Sequence, residues 1–142
     1  MCCAYARFFV VGLVFFGLGV AGSFLPTIAQ EKAVERVYEM RTYTTHPGRL
    51  VALNKRFRDH TLKLFEKHGM KNEMYWTPTD PQLAENTLIY VISHESEDAA
   101  KKSWDAFRKD PDWIKARDAS EADGKIVMKV ESVFMKKTDY SK

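Results

Sequence analysis

The residues of this 142-residue chain that could do chemistry are concentrated in one short stretch, residues 37–48, which reads VYEMRTYTTHPG. Side chains alternate across a β-strand, so Glu39, Arg41 and Tyr43 share one face. Such a set could form the polar floor of a pocket in which Arg41 binds an anion and Tyr43 donates a hydrogen bond. The alternative is that Glu39 and Arg41 pair with each other, because buried charges are normally paired. No catalytic partner lies nearby in the sequence, which favours pairing.

Three further residues complete the predicted pocket. Tyr75 and Trp76 lie in a second predicted strand, where Tyr75 could donate a hydrogen bond to a ligand. His60 lies beside the apolar stripe of a predicted helix and could be a general base or an axial ligand, although such a histidine is more often a packing residue. The candidate catalytic residues are Arg41, Tyr43, His60 and Tyr75, and the predicted ligand pocket adds Glu39 and Trp76 to these four.

The histidines do not predict a metal site. His60 and His68 are eight residues apart, not the four that place two ligands side by side on a helix. His46 and His94 follow the first and third predicted strands, which we expect to be parallel neighbours that end at one edge of the sheet. A metal there would still need further ligands. We therefore expect no metal and no cofactor, with haem as a weaker alternative.

The N-terminus has the pattern of a secretory signal peptide. One basic residue, Arg7, precedes the apolar residues 8–25, and small residues lead to a predicted cleavage point after Ala29. The alternative is an uncleaved membrane anchor, since the apolar run is near the lower limit of about 18–20 residues for crossing a bilayer. Cleavage would remove Cys2 and Cys3, so the mature chain would hold no disulfide or thiolate site. We expect export to the periplasm or the extracellular space.

Length and charge exclude several classes of protein. With 45% apolar residues, the chain suits one small domain behind the signal segment. Removing Arg7 from the 22 basic residues leaves a near balance with the 19 acidic ones, which argues against a nucleic-acid binder. The predicted organisation is a signal segment at 1–29, a tether at 30–36, a domain at 37–138 and a tail at 139–142.

Local signals predict six main elements in the order strand, helix, strand, strand, helix, strand. Pro47 suits the first turn of the first helix, which Gly69 ends as a left-handed cap. Ser96 caps the next helix, and Asp110 followed by proline starts a further helical piece. The predicted strands cover residues 34–44, 70–77, 86–94 and 125–137, and the first helix covers residues 49–68.

This order predicts an α+β fold, the ferredoxin-like βαββαβ plait, with a four-stranded antiparallel sheet and both helices on one face. The third strand, around residues 88–92, is apolar on both faces, so the face without helices needs cover as well. We expect a second copy of the chain to supply it, giving a homodimer whose sheets face each other. Glu39, Arg41 and Tyr43 are then expected to point toward the partner subunit.

Several short motifs in this order resemble the NIPSNAP family. They are YEMRTY at 38–43 followed by Pro-Gly at 47–48, His-Gly at 68–69, Tyr-Trp at 75–76 and Asp-Pro-Asp-Trp at 110–113. The resemblance covers about residues 37–138 and implies a dimeric α/β barrel. It also implies membership of a superfamily that includes small monooxygenases and haem-handling enzymes. The mitochondrial relatives have adaptor roles and no settled catalytic activity, whereas this chain is predicted to have a single domain and an export signal.

Two functions follow as expectations. The first is an exported homodimeric domain that binds a small hydrophobic or anionic ligand, or a partner, without catalysis. The alternative is a small oxidoreductase or isomerase that acts on a hydrophobic or aromatic substrate in the barrel pocket. An open cavity lined by Arg41, Tyr43 and Tyr75, with His60 reaching in, would favour a ligand or a substrate. Side chains that pair with each other and fill the space would favour a structural role.

Overall fold

The structure is a computed structural model that describes residues 35–141, and the predicted signal segment lies outside these residues. No helix in the described part of the chain is long and apolar enough to cross a membrane. The elements in order are β1 (Val37–Thr45), α1 (Leu50–Arg56), a π-helical turn (Phe57–Thr61), α2 (Leu62–Lys67), β2 (Lys71–Trp76), β3 (Thr87–His94), α3 (Glu97–Lys109), α4 (Pro111–Ser120) and β4 (Val127–Met135).

The four strands form one sheet in the order β2-β3-β1-β4, and every neighbouring pair is antiparallel. The predicted ferredoxin-like α+β plait is therefore confirmed. The prediction that β1 and β3 are parallel is wrong, because β3 returns between β1 and β2 with Val37 opposite His94. His94 consequently lies beside the start of β1, whereas His46 follows the end of β1. The two histidines are at opposite ends of the strands, and the expectation that they meet is wrong as well.

The helices cover the face of the sheet that carries the polar residues of β1. Glu39 accepts a hydrogen bond from Trp104 of α3, and the ring of Tyr43 packs against Phe57 of the π-helical turn. The expectation that Glu39, Arg41 and Tyr43 point toward a partner subunit is therefore wrong. Large aromatic rings on the helices cover this face, and burying such rings is a major source of stability in a small domain.

The opposite face of the sheet, which we call the open face, is not covered by a helix of the described residues, although Arg36 bonds Ser93 and Lys137 lies over the ring of Tyr38 at one end. Side chains alternate between the two faces along each strand, and the register shows which residues of neighbouring strands share a face. Together they place eight apolar side chains on the open face. Met74, Trp76 and Val133 are 57%, 46% and 53% exposed, respectively. The apolar residues of the open face are Tyr38, Met40, Met74, Trp76, Ile89, Val91, Val133 and Met135.

The predicted helix boundaries rest on local chemistry that the structure contains. Gly69, with φ of 77°, follows α2 in the left-handed conformation. The Ser96 hydroxyl accepts from the Ala99 amide at 3.1 Å at the start of α3. Asp110 accepts from the Asp112 amide at the start of α4, as a side-chain cap should.

The π-helical turn between α1 and α2 was not predicted. The amide of Leu62 bonds to the carbonyl of Phe57, five residues back, where an α-helix would use a spacing of four. The buried hydroxyl of Thr61 donates to the carbonyl of Arg56 at 3.2 Å. This bond gives the Arg56 carbonyl at the irregular turn a hydrogen-bond donor from within the protein, so it does not need water.

Replacing this hydroxyl should therefore weaken the fold. Thr61→Val keeps the shape and removes the donor, so we expect the free energy of unfolding to fall by about 1–3 kcal/mol in urea titrations. Thr79→Val, in an exposed loop, is the matched control and should stay within about 0.5 kcal/mol of the parent. Equal stability of the two variants would contradict a structural role for the Thr61 bond.

Candidate functional site

A buried hydrogen-bond network is centred on Glu39, whose side chain is 2% exposed. One carboxylate oxygen accepts from His94 Nε2 at 2.9 Å and from Trp104 Nε1 at 2.8 Å. The other accepts from Arg41 Nη1 and from the Ser132 hydroxyl, both at 2.6 Å. The donors come from β1, β3, β4 and α3, so one carboxylate connects all of these elements.

These bonds hold Glu39 in its charged form. Burial would raise the pKa of Glu39, but hydrogen bonds from His94, Ser132, Trp104 and Arg41 lower it from 4.5 to about 2. Because the carboxylate can only accept, His94 must carry its proton on Nε2. A carboxylate has about four acceptor positions, and four donors already use them. Glu39 therefore has no capacity left to take a proton from a substrate.

Arg41 is held between Glu39 and two aromatic rings. The central carbon of its guanidinium lies 4.2 Å from the ring centre of Trp104 and 5.7 Å from that of Tyr43. Burial would lower the pKa of Arg41, but Tyr43, Tyr90 and Glu39 raise it above the ordinary value. The guanidinium is thus a permanent cation whose charge is balanced by Glu39, which is the pairing that the sequence left open.

The tyrosines on this side of the sheet pack as a cluster. The rings of Tyr75 and Tyr90 stack with centres 5.3 Å apart and planes 13° apart, and Tyr43 meets Phe57 edge to face. The Tyr75 hydroxyl donates to the side chain of Asn72 at 2.5 Å. Burial raises the pKa of both Tyr75 and Tyr90, so both phenols stay neutral and neither is suited to act as a base.

The structure does not bring the six predicted pocket residues together. Trp76 lies on the open face, so the sheet separates it from Glu39. His60 is exposed on the helix layer and lines a different cleft. The predicted pocket of Glu39, Arg41, Tyr43, His60, Tyr75 and Trp76 is therefore divided among separate places, and a catalytic role for Arg41, Tyr43, His60 or Tyr75 stays a prediction.

Sequence reasoning missed three members of the network: His94, Trp104 and Ser132. Antiparallel pairing of β1 with β3 would have placed His94 near Glu39, since Glu39 lies opposite Ile92 and the histidine is two residues further along. Ser132 lies opposite Arg41 in β4, which the register of the fold also implies. The sequence of α3 could not predict that Trp104 bonds to Glu39, because that contact depends on how α3 packs on the sheet.

Two cavities lie close to these residues. One of about 340 Å³ opens between α3 and β4, and Trp104 and Phe134 form its apolar part. The other, of about 190 Å³, is bordered by Phe57, Tyr75 and Leu88. Neither is lined by Arg41 or Tyr43, whose side chains are engaged in the packing described above.

The histidines of the described residues differ in how far carboxylates engage them, and the absence of a cofactor stays a prediction. Within residues 35–141, no group of three or more His, Cys, Asp or Glu side chains could hold a metal ion. His94 and His68 bond to the carboxylates of Glu39 and Asp110, so neither has a free Nε2 for an iron. His60 borders a cleft without aromatic walls, where a flat macrocycle would find little to pack against.

The fold and its helix-covered polar face define a single ferredoxin-like α+β domain. A family model described as NIPSNAP matches residues 38–142. The chain belongs to the NIPSNAP family, as the short motifs predicted. No curated protein matches the chain.

Solved structures with the same fold include other NIPSNAP proteins. An uncharacterized NIPSNAP-like domain protein from Burkholderia xenovorans superposes with a TM-score of 0.66 at 11% identity, covering 77% of this chain and 90% of that one. A NIPSNAP family protein of unknown function from Agrobacterium tumefaciens gives 0.64 at 20% identity, covering 77% and 94%. SnoaB, a cofactor-independent oxygenase from Streptomyces nogalater, gives 0.53 at 14% identity, covering 75% and 99%. At these identities the similarity establishes the fold alone.

The network predicts how stability depends on pH. The pKa of Glu39 is about 2 in the folded chain against an ordinary 4.5, so ionisation stabilises the fold above pH 4.5 and this gain is lost as the pH falls toward 2. The shift corresponds to about 3 kcal/mol. We therefore expect Glu39→Gln to cost about 3 kcal/mol at neutral pH and less than half as much at about pH 3, measured by urea unfolding.

Glu95→Gln provides the control, since Glu95 is exposed in the loop after β3. Its effect should stay within about 0.5 kcal/mol at both pH values. A cost of Glu39→Gln that is the same at both pH values would contradict an ionised, fully bonded Glu39.

Proposed function

We propose that this NIPSNAP domain acts as a homodimeric binding module without catalysis of its own. The observation that carries the proposal is the difference between the two faces of its sheet. On the helix side, Glu39 and Arg41 are engaged with each other and with their neighbours, so neither is free to act as an acid or a base, while the Nδ1 of His94 is buried without a hydrogen bond to the described residues. On the other side, the open face presents apolar side chains that no helix of the described residues covers.

A second copy of the chain suits the open face in size and shape. Four strands about 4.8 Å apart and about eight residues long, at about 3.3 Å per residue, make a plane of roughly 500 Å², and side-chain relief increases the accessible area. Stable interfaces bury about 800 Å² per partner, so the two areas are comparable. Two such faces can pack about 10 Å apart with aligned strands, and a two-fold axis would bury the same residues on both copies.

Two ion pairs border the open face. Lys71 and Glu73 of β2 form one of 3.2 Å, and Lys129 and Glu131 of β4 form one of 2.9 Å. Each pair is neutral as a unit, so these four charges do not oppose the approach of a second copy, while Arg36 and Lys137 lie at one end of the face. A nucleic acid, which would need a basic face, is not a suitable partner for this surface.

We further propose that the module works outside the cytoplasm after cleavage behind Ala29. The support is the N-terminal order of one basic residue, an apolar run and small residues. A single-pass anchor is the alternative, and it would present the same domain at a membrane surface. Either way, the ligand or partner of the module would be met outside the cytoplasm.

The second candidate function is a small oxidoreductase or isomerase with a hydrophobic or aromatic substrate. Its support is the cavity of about 190 Å³ beside Phe57, Tyr75 and Leu88, in a fold that an oxygenase also uses. Ligand sites usually measure about 300–1,000 Å³, so this cavity would have to widen to admit such a substrate, and the cavity of about 340 Å³, which lies within that range, is bordered by the fully bonded Glu39. The non-catalytic module therefore remains our first proposal.

A charge on the open face should separate the two copies. Val133→Glu places a carboxylate within the open face, on β4 beside the central strand β1, and we expect light scattering coupled to size exclusion to report a monomer at micromolar concentration. Val51→Glu is the matched control, because Val51 is 78% exposed on α1 and lies away from the sheet. This control should stay dimeric.

Two results would contradict the dimer proposal. One is a monomeric parent protein at the same concentration. The other is that Val133→Glu and Val51→Glu have the same molar mass as a dimeric parent, which would place the interface elsewhere on the chain. Circular dichroism of both variants checks that the fold is retained.

Export gives a separate prediction. If the signal segment is cleaved behind Ala29, intact mass spectrometry of the protein recovered from the producing cells should give the mass of a chain that starts at Gln30. Ala29→Arg disrupts the small-residue pattern at the cleavage point and should leave a longer, membrane-associated chain. Recovery of the parent protein in the cytoplasm with residues 1–29 still attached would contradict the proposal.

A further inference from the structure

A cleft of about 570 Å³ separates α1 and the π-helical turn from α4, on the helix layer and away from the open face. Its volume lies within the range of about 300–1,000 Å³ that is usual for small-molecule sites. The walls carry short apolar side chains, including Ala52, Ala116 and Ala119, with charged residues around the opening. None of the family or fold comparisons assigns a role to this cleft.

Arg56 lies in the wall of the cleft, and only 4% of it is exposed. Its Nη1 donates to the Ser120 hydroxyl at 3.2 Å and to Glu121 at 3.0 Å, and the guanidinium lies 5.2 Å from the ring centre of Trp113. Its Nε is buried without a hydrogen bond to the described residues, and Nη2 bonds to none of them either. A guanidinium has five N–H donors, so this buried cation retains unused donors on one edge.

The other cations at the opening form ion pairs, as Arg56 does with Glu121. Arg49 bonds both oxygens of Asp123, at 2.6 and 2.7 Å, and Lys55 bonds Asp59 at 2.5 Å. Their charges are therefore largely balanced within the rim. Arg49 leaves its buried Nε without a hydrogen bond, and His60 is exposed and makes no hydrogen bond to the described residues.

Arg56 and His60 border one cleft because residues four apart lie on the same side of a helix. Arg56 immediately precedes the turn and His60 lies within it. Such single-turn irregularities inside α-helices are frequent at functional sites, and this one lies beside the cleft.

We propose that this cleft binds a small carboxylate with a short apolar chain. The free edge of Arg56 and the ring of His60 offer donors to the carboxylate, and a guanidinium matches that planar group well. The methyl groups of Ala116 and Ala119 offer an apolar surface for the chain. A cation would meet the guanidinium and would be repelled. The dimer proposed above uses the opposite face of the sheet, so either proposal can fail without the other.

The probe for the test is hexanoate, titrated into the purified protein and followed by nuclear magnetic resonance of the backbone amides. We expect saturable shifts at residues that border the cleft, with a dissociation constant in the range of about 1 mM or below, typical of one good ion pair and a small apolar contact. Hexan-1-ol has the same chain without the carboxylate and should bind at least about tenfold more weakly.

Two matched variants test the location. Ala119→Leu fills the cleft without a change of charge and should raise the dissociation constant of hexanoate at least about tenfold. Ala106→Leu makes the same change at an exposed position on α3 and should leave the dissociation constant within about twofold. His60→Ala, at an exposed position that should not affect folding, removes one donor and should weaken hexanoate more than hexan-1-ol.

Three results would overturn the proposal. Hexanoate could fail to saturate at about 50 mM, far above the expected affinity. Ala119→Leu could bind hexanoate as tightly as Ala106→Leu, which would place any binding elsewhere. Hexan-1-ol could bind as tightly as hexanoate, which would show that the cation in the wall of the cleft plays no part.

Discussion

The cost of burying a carboxylate is the constraint on which the rest of this domain depends. An ionised group taken out of water destabilises a fold by several kcal/mol unless hydrogen bonds replace its hydration. Glu39 receives four such bonds, and each donor comes from a different residue on β1, β3, β4 or α3. A one-residue shift of β3 or β4 against β1 would turn His94 or Ser132 to the other face of the sheet and leave the Glu39 charge without that donor. The network therefore specifies the strand register and the position of α3 together.

This constraint divides the molecule into a structural part and parts that remain free for binding. Between the sheet and the helices, Arg41 stacks on Trp104 and the tyrosines pack on each other, and the polar atoms there that lack a hydrogen bond to the described residues, such as Arg41 Nε and His94 Nδ1, are buried. The surfaces open to a ligand or a partner are the apolar open face and the cleft beside Arg56. An oxygenase with the same fold does not alter this division, because function depends on the site and not on the fold.

Much of the architecture could be predicted because its signals are local. Ser96 and Asp110 cap helices through bonds to amides two or three residues away, and Gly69 ends a helix by its own backbone conformation. The site was harder to predict than the fold, because the alternation of side chains in β1 separates two faces without showing which one the helices cover. Choosing the wrong face led to the prediction that Glu39 points toward a partner subunit. Assigning β3 as parallel to β1 prevented His94 from being placed near Glu39.

The central claim is that Glu39 is ionised and fully bonded inside the folded domain. Its most direct test is a pH titration of the Glu39 side-chain carboxyl by ¹³C nuclear magnetic resonance in protein labelled at glutamate. The account predicts a midpoint at about pH 2, or no transition before the protein unfolds in acid. A midpoint near the ordinary 4.5 in the folded protein would contradict it, because the four donors would then not stabilise the charge.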